Sequence, residues 1–241
     1  MHRIAFSSRI LAGADIETGH KIHIQASLLK QDTFGSVRLE QGAGAPRVIR
    51  DTRSAPWWSR WLARRLAARE ARALRAVHGV VGVPQLISFD GKVLQRQWLA
   101  GEPMYVARPT DAEYYRLALQ IVRQLHRHGV AHNDLAKEPN WLVLENGKPG
   151  LLDFQLASYH RHRGRWFRTL AREDLRHLLK HKRYYRSEGL TQRQRSILDT
   201  PGWPSRLWRR TGKPVYLFVT RRLFNWSDRE GAEDRGRPGA V

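Results

Sequence analysis

Cysteine is absent from the sequence, and its absence excludes several kinds of site. A disulfide scaffold, a thiolate nucleophile and a zinc or iron–sulfur centre ligated by cysteine all require that residue, so the chain fits a reducing compartment. No stretch approaches the roughly 18 apolar residues of a membrane-spanning helix. Arg9 interrupts the start of the chain, where no secretory signal is recognised. We therefore expect a cytoplasmic protein, free in solution or at the inner face of the cytoplasmic membrane.

Acidic residues are scarce relative to basic ones. The 43 Lys and Arg residues outnumber the 22 Asp and Glu residues, which gives a formal net charge of +21. A field of that strength favours polyanionic partners: nucleic acid, an anionic membrane face or a phosphorylated substrate. The charge alone does not choose among these three.

The remaining composition is that of an ordinary globular protein. Of the 241 residues, 41% are apolar and 27% are charged, which excludes wholesale disorder. A chain of this length encloses a sizeable core and forms one compact unit with two lobes more readily than two independent domains.

The first hundred residues have the patterns of β-strands interrupted by one helix. Apolar residues alternate within residues 22–50, which predicts a β-meander, and residues 57–77 predict the helix. Two short strands, Gln85–Phe89 and Val93–Leu99, are expected next, and Gly101–Pro103 is expected to be a linker. The core stripe predicted for the helix consists of Trp58, Leu62, Leu66, Ala73 and Val77.

Helical patterns dominate the rest of the chain. Asp111 is the predicted N-cap of a helix that ends at Gly129. Two apolar strands are predicted at Trp141–Leu144 and Gly150–Phe154, and a further helix around Arg172–Arg186.

These elements predict an α+β protein built from two unequal lobes. We expect a β-rich lobe over residues 1–100, a mainly helical lobe over residues 101–226 and a disordered tail over residues 227–241, where polar and charged residues and glycine dominate.

The sharpest chemical signal lies in the segments His132–Asn140 and Leu151–Gln155. His132, Asp134 and Asn140 resemble the catalytic loop H-R-D-x-x-x-x-N, and Asp153 with the following Phe resembles the start of the D-F-G element. The chain therefore resembles the protein-kinase-like superfamily, and among its members the small atypical bacterial kinases: the RIO type and the lipopolysaccharide core sugar or Kdo kinases.

That resemblance implies a bilobal fold and a set of residue roles. The fold would have a small antiparallel β lobe with one helix and a mainly helical large lobe. Asp134 would orient the acceptor hydroxyl or act as its base, and Asn140 and Asp153 would hold Mg²⁺, which prefers hard oxygen ligands. Either aspartate alone is as well explained by a helix cap or a turn. Their order, with two apolar strands between them, favours the catalytic interpretation.

The small lobe carries weaker parts of the same resemblance. Gly35 matches the end of a Gly-rich phosphate loop, although an ordinary strand turn explains it equally well. Arg50 stands where the phosphate-binding lysine of V-A-I-K belongs, and Glu70 would be its partner on the helix. No basic residue lies three or four positions from Glu70, so a more distant cationic partner is expected.

Five departures from the kinase pattern define the alternatives. The loop from Asp134 to Asn140 is one residue longer, Gln155 replaces glycine, and no A-P-E segment is found. Asn133 replaces the arginine that would receive an activation-loop phosphate, so the peptide-docking platform of ordinary protein kinases is expected to be absent. Arg50 in place of lysine is not a conservative change, and it either grips phosphate bidentately or marks a pseudokinase.

Two further residues resemble supporting parts of the large lobe. Asp174 resembles the buried aspartate that braces the catalytic-loop backbone, although a simple acid near a helix N-terminus would look the same. His126 lies in a run that resembles the approach to the catalytic loop, and a core or capping histidine explains it equally well.

Arginine and aromatic residues are mixed in several segments. Trp57–Trp61, Trp203–Arg210 and Tyr216–Trp226 have the composition of an interfacial surface, which core packing of the tryptophans explains almost as well. Such mixtures also suit single-stranded nucleic acid, but no RNA-binding motif accompanies them, so nucleic acid is not the expected partner. The basic segment Tyr159–Arg168 is either simply solvated or attracts an anionic acceptor by its positive charge.

The expected function is ATP-dependent transfer of phosphate to a hydroxyl group. The acceptor would be a lipopolysaccharide-type sugar, such as an anionic glycolipid, or a protein Ser/Thr. The alternative is a weak or inactive kinase-like module that binds an anionic membrane surface or a protein partner. The sequence does not indicate an oligomeric state.

Overall fold

A computed structural model of the chain describes residues 8–13, 22–42 and 44–200. The chain divides into two compact units, the first running to Ala100 and including Asp153–Ala157, and the second comprising Gly101–Leu152 and the chain from Ser158. The expected tail at 227–241 and the aromatic segments at 203–210 and 216–226 lie outside the described residues.

The first unit is built on one antiparallel sheet. Its strands follow the order β1-β2-β3-β4-β6-β5, and every neighbouring pair is antiparallel. The helix α1, Arg60–Ala76, lies between β4 and β5 in the chain and contacts both β5 and β6. The strands are β1 Ser8–Gly13, β2 Ile22–Asp32, β3 Gly35–Gln41, β4 Arg47–Asp51, β5 Leu86–Phe89 and β6 Val93–Gln97.

The buried face of α1 differs from the predicted stripe. Trp58 and Leu62 are 56% and 41% exposed, so the expectation that they belong to the core was wrong. The helix begins only at Arg60, and Trp58 therefore does not share its periodicity. The stripe that is buried consists mainly of small side chains, which allow close packing of the helix backbone. It comprises Ala63, Ala67, Glu70, Ala71, Ala73 and Leu74.

A short segment from later in the chain completes the first unit. Phe154–Leu156 forms a single 3₁₀ turn, and Phe154 is buried. Arg69 of α1 donates hydrogen bonds to the carbonyl oxygens of Leu156, at 2.8 Å, and Ala157, at 3.3 Å. These bonds fix the position of the residues that follow Asp153.

In its described residues, the second unit combines two small antiparallel sheets with four helices. Gly101–Pro103 is the strand β7 and not the expected linker, because its backbone pairs with β9. A side chain at Gly101 would lie 2.6 Å from the Val143 carbonyl oxygen, so this pairing requires glycine. The remaining strands are β8 Val130–Ala131, β9 Trp141–Leu144, β10 Pro149–Leu151 and β11 Ser158–Tyr159, with β10-β9-β7 in one sheet and β11-β8 in the other.

The helices of the second unit are held by local caps and by buried polar contacts. Asp111 caps α3 as expected, with Oδ1 accepting a hydrogen bond from the Glu113 amide at 3.1 Å, and Gly129 ends it with φ of 73°. The long helix α4 begins at Arg165, before the expected start near Arg172. The helices are α2 Met104–Ala107, α3 Ala112–Arg127, α4 Arg165–Tyr185 and α5 Gln192–Asp199.

Within the described residues, no helix combines the length and the apolar character needed to cross a bilayer.

Candidate active site

The loop after β8 is braced from α4 by one buried carboxylate. Asp174, which is 1% exposed, accepts hydrogen bonds from the backbone amides of His132, at 2.8 Å, and Asn133, at 2.9 Å. The Nε2 atom of His126 lies 3.1 Å from Oδ2 of the same carboxylate. The brace expected from the sequence is confirmed, and it fixes the backbone at the start of the loop.

The extra residue of this loop is absorbed by a tight turn. Residues Glu138–Asn140 form a 3₁₀ turn with Pro139 near its start. As a result the Asn140 side chain reaches back to Asp134: its Nδ2 atom donates to the Asp134 carbonyl oxygen at 2.9 Å and to Oδ2 at 3.1 Å. The structure therefore brings together two of the predicted catalytic residues.

A lysine also contacts the Asp134 carboxylate. Lys137 Nζ lies 3.2 Å from Asp134 Oδ2, the same oxygen that accepts from Asn140. A cation and an amide on one oxygen hold this carboxylate in a defined orientation, and charge-assisted contacts of this kind are stronger than neutral ones.

Buried polar contacts hold the loop from two further sides. His132 is fully buried, and its Nε2 atom lies 2.9 Å from the Leu152 carbonyl oxygen. The Leu152 amide in turn donates to the Asn140 carbonyl oxygen at 2.8 Å. The strand pair β9–β10 thus links the two ends of the loop.

Sequence reasoning missed a second contact from α4. His181 Nε2 lies 2.8 Å from the Leu135 carbonyl oxygen, and His181 Nδ1 lies 3.7 Å from Oε1 of the buried Glu138. The spacing of Asp174, Leu178 and His181 is that of one helix face, so helical periodicity starting from Asp174 would have found this histidine.

In the first unit, a buried glutamate is shared by two arginines. Glu70 is 1% exposed; Arg50 Nε lies 3.4 Å from its Oε2 atom, and Arg96 Nε lies 3.2 Å from Oε1. The pairing of Glu70 with a distant cation is therefore observed, and Arg96 is an additional partner. Burial lowers the pKa of Arg96, whereas the charge of Glu70 acts in the opposite direction.

The register of β4 and β6 explains why both arginines reach Glu70. Arg50 lies opposite Leu94 and Val48 opposite Arg96, so these four residues share one face of the sheet. Val48 and Leu94 are buried, and side chains two residues apart in a strand lie on the same face. Arg96, two residues after Leu94, could therefore have been predicted to face the same side as Arg50.

Asp153 has an unusual backbone conformation in the first unit. Its φ of 61° and ψ of 72° lie in the left-handed region, which a non-glycine residue rarely adopts. The Gln155 side-chain amide donates to Asp153 Oδ1 at 2.8 Å. Gln155, which replaces the glycine of D-F-G, thus fixes the orientation of the carboxylate. The negative charge of Asp153 also acts on Arg96, raising its pKa against the effect of burial.

Gly35 has a steric reason to be glycine. Its φ is 112°, and a Cβ atom there would lie 2.2 Å from the Asp51 carbonyl oxygen. The preceding turn is closed by Asp32, whose Oδ1 atom accepts from the Phe34 amide at 2.8 Å. The close approach of β3 to the end of β4 accounts for Gly35, and its contact with nucleotide phosphates stays a prediction.

The predicted site residues are divided between the units. Asp134 and Asn140 lie in the second unit, whereas Gly35, Arg50, Glu70 and Asp153 lie in the first. Within the described residues no group of three or more His, Asp or Glu side chains is placed to hold a metal ion.

The donor chemistry of the predicted ligands nevertheless fits Mg²⁺. Asn140 uses its Nδ2 atom toward Asp134, which leaves its oxygen as the available donor. Asp153 uses Oδ1 toward Gln155, and its Oδ2 accepts no hydrogen bond from a described residue. Mg²⁺ is usually held by one or two such oxygens together with substrate phosphates, so a complete protein cage is not required.

Comparison with known proteins identifies the fold. No family model matches the sequence, and no curated protein matches it. The mixed α+β architecture, with its antiparallel sheets and helices, is a protein-kinase-like fold. The solved structures similar to it include the Rio2 kinase from Chaetomium thermophilum, at a TM-score of 0.51 and 17% sequence identity. The match covers 70% of this chain and 60% of that protein, so this chain spans well under the full length of the kinase it resembles.

Proposed function

We propose that the chain is an ATP-dependent phosphotransferase that acts on a hydroxyl group. The kinase-like fold supports this proposal, and one observation carries it. Across a loop one residue longer than the usual pattern, Asn140 still returns to Asp134. A loop that served only as a connection would not need to preserve that contact.

The proposed role of Asp134 follows from its surroundings. Phosphoryl transfer depends on positioning and charge stabilisation more than on covalent chemistry of the protein. Asp134 accepts the hydrogen of the acceptor hydroxyl and so aims its oxygen. Asn140 and Lys137 hold the carboxylate, while Asp174 fixes the backbone that precedes it.

The other predicted residues serve the nucleotide in this proposal. Asn140 and Asp153 are the Mg²⁺ ligands, and the ion would neutralise charge on the phosphate oxygens. Arg50, oriented by Glu70, contacts the phosphates, for which a planar guanidinium is suited. Gly35 lets the backbone of the strand turn approach them.

The test of this proposal is ATP turnover by the full chain. Purified protein with Mg²⁺ and ATP labelled at the γ-phosphate is expected to release or transfer the label. Asp134→Asn and Asp153→Asn should each lower the rate by about a hundredfold or more. Asp111→Asn is the matched control, because asparagine caps a helix as well as aspartate does. Absence of turnover together with absence of an ATP-dependent rise in melting temperature would reject the proposal.

The arginine at position 50 is tested by nucleotide binding. Arg50→Met should weaken binding of Mg²⁺–ATP, measured by calorimetry, whereas Arg50→Lys should retain part of it because the charge remains. Equal affinity in Arg50→Met and the unmodified chain would show that Arg50 serves only the ion pair with Glu70.

For the acceptor we propose a sugar hydroxyl of a lipopolysaccharide-type glycolipid, reached at the inner face of the cytoplasmic membrane. The missing A-P-E segment and Asn133 in place of arginine argue against a peptide-docking platform. Label from ATP should enter a purified lipid A–core fraction and not a mixture of soluble proteins. Transfer to protein Ser/Thr instead would identify a protein kinase.

An exposed aromatic surface favours a second candidate, a non-catalytic kinase-like module that binds an anionic membrane. Trp57, Trp58 and Trp61 are 84%, 56% and 66% exposed at the start of α1. The Arg65 guanidinium lies 5.1 Å from the centre of the Trp61 ring, and Arg64 is exposed beside it. Exposed tryptophans among arginines suit the boundary between lipid headgroups and acyl chains.

Vesicle flotation distinguishes this candidate. The chain should float with vesicles that contain phosphatidylglycerol, and Trp57→Ala combined with Trp61→Ala should abolish flotation. Val81→Ala combined with Ile87→Ala, two exposed apolar positions in the same unit, is the control. Flotation without any ATP turnover would favour the module over the enzyme. A lack of salt-sensitive binding to the vesicles would exclude the membrane hypothesis.

A further inference from the structure

An open groove in the second unit is lined almost entirely by cations. Its volume is about 730 Å³, within the range of small-molecule sites and larger than a lone ion needs. It lies where the end of α3, the loop after β11 and the first turn of α4 meet. The lining residues are Arg123, His126, Arg127, Arg161, Arg163, Phe167 and Arg168.

The charges of this groove are not balanced by the protein around it. None of the lining residues is an acid, and none of the five arginines forms an ion pair with a residue that the structure describes. Other arginines on the same two helices do find a carboxylate three residues away, as Arg116 does with Glu113 and Arg176 with Glu173. Arg172 and Arg183 of α4 also lack an ion pair with a described residue, so the groove is distinguished by five arginines that converge on one lining without an acid.

The spacing of the arginines adds repulsion. Arg123 and Arg127, which both line the groove, are four residues apart on α3. Like charges at this spacing destabilise a helix by about 0.2–0.5 kcal/mol. A bound anion would relieve that repulsion, since one phosphate is approached by several guanidinium groups at once.

The floor of the groove is rigid. The buried Phe167 ring lies between two histidine rings, with centres 6.0 Å from His126 and 5.4 Å from His160. His126 is in turn held by Asp174. These edge-to-face and tilted ring contacts, with the bond from His126 to Asp174, hold the floor of the groove without a ligand, which lowers the ordering cost of binding.

The two walls are fixed to each other by a backbone contact. The His160 amide donates to the Gly129 carbonyl oxygen at 2.8 Å. A Cβ atom at Gly129, whose φ is 73°, would lie 2.4 Å from the His160 carbonyl oxygen. Only glycine permits this approach, and it holds the arginine-bearing loop against the end of α3.

We infer that this groove binds a small ligand that carries two or more phosphate groups. Five planar guanidinium groups from three segments match several phosphate oxygens in pairs, whereas a single phosphate would leave most of them unused. The inference does not rest on phosphoryl transfer, because none of these residues belongs to the proposed catalytic set.

The experiment is calorimetric titration of the full chain with inorganic pyrophosphate. The variant Arg127→Gln combined with Arg168→Gln should weaken binding at least tenfold. Arg72→Gln combined with Arg75→Gln, two exposed arginines of α1, removes the same charge elsewhere and should change affinity less than twofold. Equal weakening by both double variants would show that only the overall charge attracts the anion, and would overturn the inference.

Two further variants keep the result decisive. Arg161→Gln combined with Arg163→Gln changes only the loop and should also weaken pyrophosphate binding. This variant still tests the groove if Arg127→Gln combined with Arg168→Gln fails to fold. Pyrophosphate binding should persist in Arg50→Met, the variant that tests the proposed nucleotide contact. Loss of binding in Arg50→Met with retention in both groove variants would place the phosphate elsewhere and overturn the inference.

The source of the phosphates is distinguished with vesicles. A lipid headgroup source predicts that phosphatidylcholine vesicles containing phosphatidylinositol bisphosphate, whose headgroup carries more than one phosphate, bind the chain, and that the groove variants lose this binding while the α1 variant keeps it. A soluble source predicts that all variants bind such vesicles equally while pyrophosphate binding differs. Either result supports phosphate binding in the groove. If neither pyrophosphate nor the vesicles bind the groove variants more weakly than the α1 variant, the inference is overturned.

Discussion

The Nε atom of Arg96 lies 3.2 Å from Oε1 of Glu70, so the buried carboxylate has a second cation besides Arg50. The helix α1 and the strands β4 and β6 are thereby joined at one point. Two arginines share this one carboxylate. Loss of Glu70 would therefore leave two positive charges unpaired, whereas loss of either arginine would still leave Glu70 one cation.

Replacement of Glu70 by glutamine should strongly destabilise the first unit. Arg50 and Arg96, whose side chains are 15% and 12% exposed, would lose the carboxylate that they share, and removing one partner of a buried pair typically lowers the free energy of unfolding by about 3–5 kcal/mol. Urea unfolding of Glu70→Gln measures this change. Glu40→Gln, which breaks the more exposed pair with Arg47, should change it by no more than about 1 kcal/mol. Similar values for the two variants would contradict a buried charge cluster.

Replacement of Asp174 by asparagine should loosen the loop after β8. An asparagine oxygen cannot serve two backbone amides and His126 as a carboxylate does, and the loss should be about 2–4 kcal/mol. Hydrogen exchange should accelerate at the amides of His132 and Asn133. In Asp111→Asn, where the side chain is a helix cap, exchange at these two amides should be unchanged. Unaltered exchange in Asp174→Asn would mean that other contacts hold the loop.

Replacement of Gly35 by alanine should combine backbone strain with a clash. The strain alone is about 1–2 kcal/mol for a residue in the left-handed region. Gly79→Ala provides that reference, because Gly79 has a φ of 80° and nothing within 4 Å of an added Cβ. Gly35→Ala should lower the free energy of unfolding by at least about 3 kcal/mol, since the Asp51 backbone blocks the new atom. Equal losses in the two variants would show that β3 and β4 separate easily.

The stability of the protein should fall in mild acid because of His177. Burial, reinforced by the charge of Lys180, lowers the pKa of His177 from 6.5 to about 4. Between those values the unfolded chain binds a proton that the folded chain does not, so stability decreases as the pH falls from 6.5 toward 4 and this contribution is absent above 6.5.

The histidine contribution is isolated by difference. Unfolding free energies of the unmodified chain and His177→Asn are measured across this pH range, and the gap between the two curves should change by about 2 kcal/mol, allowing for the partial exposure of the ring. Parallel curves would show that His177 takes up its proton without disturbing the fold.

Local signals predicted the parts of the structure that local interactions determine. The cap at Asp111 and the end of α3 at Gly129 follow from backbone chemistry within one turn. The strand pair around the Asn146 turn also matches the expectation from two short apolar segments, although the second strand ends at Leu151 and Phe154, expected at its end, lies in a 3₁₀ turn. The lack of a basic residue near Glu70 on its own helix predicted a distant cationic partner, the resemblance to V-A-I-K named Arg50, and the structure shows that contact.

Contacts between distant segments could not be predicted in the same way. Gly101–Pro103 resembles a linker in composition, and only its pairing with β9 makes it a strand. Trp58 and Leu62 had suitable spacing for a core, but the close packing of alanines on α1 decides which face is buried. Arg96 lies 26 residues beyond Glu70 in sequence, and a charged residue in a strand gives no local sign of its partner.

Asp174 joins three backbone or side-chain groups that are far from it along the polymer. One carboxylate makes all three contacts, so the loss of this single side chain would remove them together. Homologous chains that lack this acid are therefore expected to hold the loop by other contacts and to differ at His126 as well, since that side chain would lose its partner.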